Sequence, residues 1–138
     1  MSFEQDWKKI EPEIRDRLEK ACRAGMFQLC SNIIGGTPVD TGRAKANWFV
    51  TTGSASTKTA KQTDKSPKGQ ISTDKAKQVS VSVEKSIDTG KLYLTNNLPY
   101  IYRLEFDGWS SQARSGWIRK NVQEFNKLLA AQIRAVMK

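Results

Sequence analysis

Histidine is absent from the 138 residues. With it go the side chain best suited to general-base work near neutral pH, the commonest metal ligand, and every Ser–His or Cys–His nucleophile pair. Only two cysteines are present, Cys22 and Cys30. In a stretch of helical period, at 1.5 Å rise per residue, their Cα atoms stand about 12 Å apart. That is beyond disulfide reach, and two thiols without a close third ligand do not build a zinc site; both are expected to be small buried apolar residues. Long apolar runs are missing too. No window of about 18 apolar residues occurs, and the opening MSFEQDWKK mixes acids with bases where a secretory leader would place cations and then an apolar run. A chain made and kept in a cytosol is expected. The phosphate-cradling GxxxxGK[ST] loop is lacking as well, since Ile34-Gly35-Gly36-Thr37 has too few glycines and no following lysine. These absences argue against an enzyme and against a resident cofactor or metal.

What is plentiful is positive charge, +9 in all, and it is unevenly placed. Residues 1–34 hold six bases and six acids, whereas residues 51–79 hold six and two, and residues 109–138 six and one. The surplus could face phosphate or an acidic protein surface. Hydrophobic residues make up 38%, below the roughly 45–50% of globular domains. Some of the chain is therefore expected to lie outside the core of what, at this length, is one domain.

Periodicity divides the chain. Phe3, Trp7, Ile10, Ile14, Leu18, Cys22, Gly25, Leu29 and Ile33 recur at three- and four-residue steps and predict an amphipathic helix. Pro12 should interrupt or restart it, and Gly35-Gly36 should end it through a left-handed cap. Residues 46–52 have strand composition, and Val79, Val81 and Val83 alternate with polar residues as a half-buried strand does. Residues 91–96 supply a further strand after an Asp88-Thr89-Gly90 turn. Residues 100–106 suit a short helix or a strand equally. Ile118, Val122, Phe125, Leu129, Ile133 and Val136 predict a closing helix with Ser115 as its N-cap. The expected fold is α+β, with N- and C-terminal helices on a mainly antiparallel sheet of three to four strands.

Between the first two strands lies a polar arm, residues 53–78, too poor in apolar groups to offset its own ordering. It is expected to be a mobile, hairpin-like arm that orders against a partner. Lys58, Lys61, Lys65, Lys68, Lys75 and Lys77 would meet DNA phosphate or an acidic partner. The arm has no aromatic residue for base stacking and no arginine for bidentate readout. Contact with DNA would then be non-specific, and a basic DNA-binding accessory protein is the alternative functional reading.

Two segments are richer than packing requires. Pro38, Asp40, Thr41, Gly42 and Arg43 form a turn in which proline fixes one backbone angle, glycine frees another, and the aspartate can accept from nearby amides. Residues 96–109 crowd aromatics beside charges, the residue mix of interface hot spots, although tyrosines can equally fill a core. Tyr100, Tyr102, Arg103, Glu105, Trp109 and Arg114 are the candidate interface residues.

Pro38-Val39-Asp40-Thr41-Gly42-Arg43 followed by Ala46-Asn47-Trp48, then Asn96-Asn97-Leu98-Pro99-Tyr100 through Leu104-Glu105, then Ser110-Ser111-Gln112-Ala113 through Gly116-Trp117-Ile118-Arg119, together and in this order resemble the tail-completion and minor-tail-component families of long-tailed bacteriophages, including the lambda minor tail protein Z group. Ile101 stands where the family usually has alanine, and Arg114 where it has proline. The resemblance implies a non-catalytic virion protein of the neck that enables a tail to dock to a filled head. It also implies copies in a ring of six, with the tail terminator or tail tube protein on one side and head-closure or connector proteins on the other.

Overall fold

The computed structural model describes residues 12–39, 42–106 and 116–137. Helix α1, Pro12–Gly35, starts where the sequence places a proline compatible with a first helical position. A single helical turn α2, Arg43–Ala46, leads into strand β1, Trp48–Thr51. Helix α3, Thr73–Thr89, strand β2, Tyr93–Asn96, the short helix α4, Ile101–Phe106, and the long helix α5, Trp117–Met137, complete the order.

Antiparallel pairing of β1 with β2, in the register Trp48 with Asn96 through Thr51 with Tyr93, makes the one sheet among the described residues, which has two strands. The expected three to four strands do not form, and the reason is chemical. Residues 79–83 belong to α3, which lies along the free edge of β1. There the Lys75 ammonium donates to the Trp48 carbonyl at 2.7 Å and the Ser82 hydroxyl to the Val50 carbonyl at 2.7 Å. Those acceptors would otherwise serve a third strand, and side chains seven residues apart on one helix face occupy them instead. The buried positions of α3 are Lys75, Val79, Val83 and Ser86, at helical spacing, while Val81 is exposed. Because a lysine and a serine end that stripe, apolar periodicity alone leaves only the valine alternation visible. Ser72 caps the helix by accepting from the Lys75 amide, and Gly90 ends it in the left-handed region.

The core gathers Cys30, Ile33 and Ile34 of α1, Ala44, Trp48 and Val50, Val79 and Val83 of α3, Leu98, Leu104 and Trp117. Helix α5 runs antiparallel to α1: the Trp117 indole N–H donates to the Ile33 carbonyl, and Phe125 packs on Gly25. Helix α1 does not end through a left-handed Gly35-Gly36 cap, since neither glycine has positive φ. Thr37 closes it by donating its hydroxyl to the Ile33 carbonyl, and a Cβ on Gly36 would press on the Asn32 carbonyl and the Trp117 ring. Cys30 is buried as expected and burial pushes its thiol up to about 11, so it stays protonated at neutral pH; Cys22 is half-buried and shifted the same way, by burial and then by Glu19.

Candidate assembly site

The quoted turn, strand and loop segments meet around the C-terminal end of α1. Pro38 is buried. Gly42 has φ 85° and its carbonyl accepts from the Asp64 amide at 2.8 Å; any Cβ there would collide with the Asp64 backbone. Arg43 is exposed, and Asp40 and Thr41 lie outside the described residues. Next along the chain, the Trp48 indole donates to the Thr37 hydroxyl at 2.8 Å, linking β1 to the end of α1. Asn96 reaches across to the Ala44 carbonyl at 2.9 Å and accepts from the Leu98 amide, which turns the chain toward α4.

Residues 53–72 are irregular but held along the body of the protein, not projected as a hairpin between strands. Asn47 donates to the Ala60 carbonyl and accepts from the Ala60 amide, mimicking one rung of a sheet ladder. The buried Lys45 ammonium donates to the carbonyls of Ser66 and Pro67, both at 3.0 Å. Asn97 donates to the carbonyls of Ser56 and Lys58, and the Gly69 amide donates to the Gly35 carbonyl. Composition marked 53–78 as one mobile arm without a core of its own, but 73–78 instead open helix α3, with Lys75 buried, and only 53–72 are irregular. It could not reveal that side chains elsewhere in the same chain would satisfy the backbone of this 53–72 strap.

Of the six arm lysines, Lys58, Lys61, Lys65, Lys68 and Lys77 are exposed. Lys75 is not a surface contact: it is buried beneath β1, donates to the carbonyls of Ala46 and Trp48, and lies 5.7 Å from the centre of the Phe49 ring. Burial lowers the affinity of Lys45 and Lys75 for their protons, and the Asp64 carboxylate opposes that shift in each case.

The aromatic segment divides in two. Residues 100–106, left open between helix and strand, form α4 from Ile101 onward. Tyr102 and Arg103 face solvent, and Tyr102 stacks on Phe106 with ring centres 4.6 Å apart. The Arg119 guanidinium lies 4.4 Å from the Phe106 ring. Tyr100 is half-buried; burial raises its hydroxyl pKa, with Arg43 acting in the opposite direction. Glu105 faces inward rather than outward, 4% exposed. Its carboxylate accepts from the Ile118 and Arg119 amides at 3.0 and 3.1 Å and pairs with the Arg119 guanidinium at 3.0 Å. An acid one residue before the exposed, Arg119-stacked Phe106 thus caps α5 from another part of the chain. Ser115, the expected cap, and Trp109 and Arg114 lie outside the described residues.

Sequence reasoning missed Lys45 and Asp64, and quoted Asn47, Phe106 and Arg119 only as parts of longer segments, without a role of their own. A helical reading of 100–106 would have paired Tyr102 with Phe106 at i, i+4, but nothing local marks Lys45 or Asn47 as partners of residues 13 to 22 positions away. Among the described residues no group of three His, Cys, Asp or Glu could hold a metal ion. Compared with family models, with curated proteins and with solved structures, the chain gives no match.

Proposed function

We propose that this chain is a non-catalytic structural protein of the neck of a long-tailed phage particle. In this reading it is a tail-completion protein whose copies close a ring, six as the resemblance implies, between the tail terminator or tail tube protein and the head-closure proteins. One observation carries the reading. The quoted residues Gly42, Trp48, Asn96, Leu104, Glu105, Trp117 and Arg119 each join distant parts of the chain around the C-terminal end of α1 and the start of α5, so the resemblance falls on structure-determining contacts. Beside them, Tyr102, Phe106, Arg103 and Arg119 present stacked rings flanked by cations, the residue types enriched at protein interfaces. A ring built from identical copies uses a heterologous contact, so this edge would meet a different surface of its neighbour. No helix among the described residues is long and apolar enough to cross a membrane.

The test is head–tail joining in lysates of the encoding phage lacking this chain, followed by electron microscopy after addition of purified protein. Wild-type protein should restore joined particles. Tyr102→Ala, a surface change expected to alter folding stability by less than about 0.5 kcal/mol, should restore few. Heads and tails that join equally well without the protein would dispose of the neck assignment.

A further inference from the structure

Helix α5 carries a line of cations that form no ion pair among the described residues. Lys120, Lys127 and Arg134 recur every seven residues. Seven residues return a helix to within about 20° of its starting direction, so the three share one face over about 21 Å of axis at 1.5 Å per residue. All three are exposed, and the opposite face, through Ile118, Phe125 and Leu129, is the partly buried one. None of the three forms an ion pair among the described residues; the Arg134 guanidinium makes one bond, to the Ala130 carbonyl of its own helix. Helix α1 differs: there Glu13, Asp16 and Glu19 pair with Arg17, Lys20 and Arg23 four residues on. Cations in register with no ion pair among the described residues, beside a helix whose acids are paired, leave a surface open to an outside anion.

We infer that the outer face of α5 is a sequence-independent contact for the phosphate backbone of duplex DNA. The stripe holds Gln123, Glu124 and Ala131 between its cations and no ring or large aliphatic group of the kind that anchors a protein partner. Duplex DNA presents about one charge per 1.7 Å of axis, so cations about 10.5 Å apart along the helix meet phosphates in any register. A folded acidic protein would have to match three fixed points. The strap lysines Lys58, Lys61, Lys65 and Lys68 are a weaker candidate for the same role, because they sit on irregular backbone around Asp64. The inference is independent of the neck assignment.

Fluorescence anisotropy with a 30-base-pair duplex of arbitrary sequence, titrated from 50 to 200 mM KCl, tests it. Three phosphate contacts correspond to a slope of about −2.7 in log K against log salt, or roughly a 40-fold loss of affinity across that range. The variant Lys120→Gln/Lys127→Gln/Arg134→Gln should reduce the slope by about that amount, and Lys120→Gln/Lys127→Gln by about two-thirds of it. A control, Lys58→Gln/Lys61→Gln/Lys65→Gln, should leave most of the slope in place. Circular dichroism melts that match wild type assign the change to the surface. The inference is overturned by no binding at 50 mM salt, by loss of binding in the strap control but not in the α5 variants, by dependence on base sequence, or by polyglutamate competing as well as DNA. Failure here with head–tail joining intact would remove the DNA contact and leave the neck assignment standing.

Discussion

Glu105 on one side and Lys45 with Lys75 on the other are buried ionisable groups held in opposite ways. Glu105 meets two helix-terminal amides and a guanidinium, so its charge is answered by a charge and a dipole. The lysines meet neutral acceptors, two backbone carbonyls for Lys45, and two backbone carbonyls and the Gln78 amide oxygen for Lys75, with Asp64 as the nearby anion that eases their burial. The acid joins two helices at their ends. The bases stand in for missing secondary structure, gathering acceptors from the strap and from the free edge of β1.

If that contrast is right, removing the acid should hurt most. Glu105→Ala leaves the first amides of α5 without acceptors and Arg119 without its partner, and should lower unfolding free energy by about 2–4 kcal/mol, read from urea denaturation. A loss below about 0.5 kcal/mol, the usual range of surface changes, would mean that water replaces the carboxylate and that the helix ends are joined by packing alone.

Lys75→Met keeps the aliphatic stem but leaves the Ala46 and Trp48 carbonyls without their donor, which should cost about 1–3 kcal/mol. Near-neutral behaviour would mean that apolar contact with Phe49 outweighs the hydrogen bonds. Lys45→Met should act more locally. In wild type the amides of Ala60, Asp64 and Gly69, each bonded across to the body, should exchange hydrogen more slowly than those of Lys61 and Lys65. In the variant, protection at Asp64 should fall first, with the helices unaffected. Uniformly fast exchange across 53–72 in wild type would return the segment to the mobile arm that its composition suggests.

The smallest effect concerns pH. Burial alone would raise the Asp64 pKa, but the amide and hydroxyl of Ser66 both donate to its carboxylate and Lys45 is near, so the net value lies below the ordinary 3.8. Below 3.8 the unfolded chain therefore takes up protons before the folded one does. The contribution of Asp64 is complete above that pH and fades as pH falls through its folded-state value. Asp64→Asn should flatten the acid limb of a stability–pH curve by lowering stability slightly at pH 7 while changing little below the folded-state pKa of Asp64. An unchanged acid limb would show that Lys45 holds the strap without help from Asp64.

Local chemistry determined much of this protein. The 3.6-residue period of 14–33 and of 118–136 defined the two long helices over the described residues, and the polarity of 53–78 marked a segment of which 53–72 are irregular while 73–78 open α3. These follow from propensity and periodicity, which act over one or two turns of chain. The tertiary structure alone decided the rest: that Val79 and Val83 belong to a helix whose stripe ends in Lys75 and Ser86, that Glu105 points inward to cap a helix beginning twelve residues later, and that Lys45 and Asn47 hold a strap 13 to 22 residues away. Each depends on a polar side chain finding its partner across the fold. A buried polar group is stable only once that partner is in place, so no window of sequence containing one member of the pair could have assigned it.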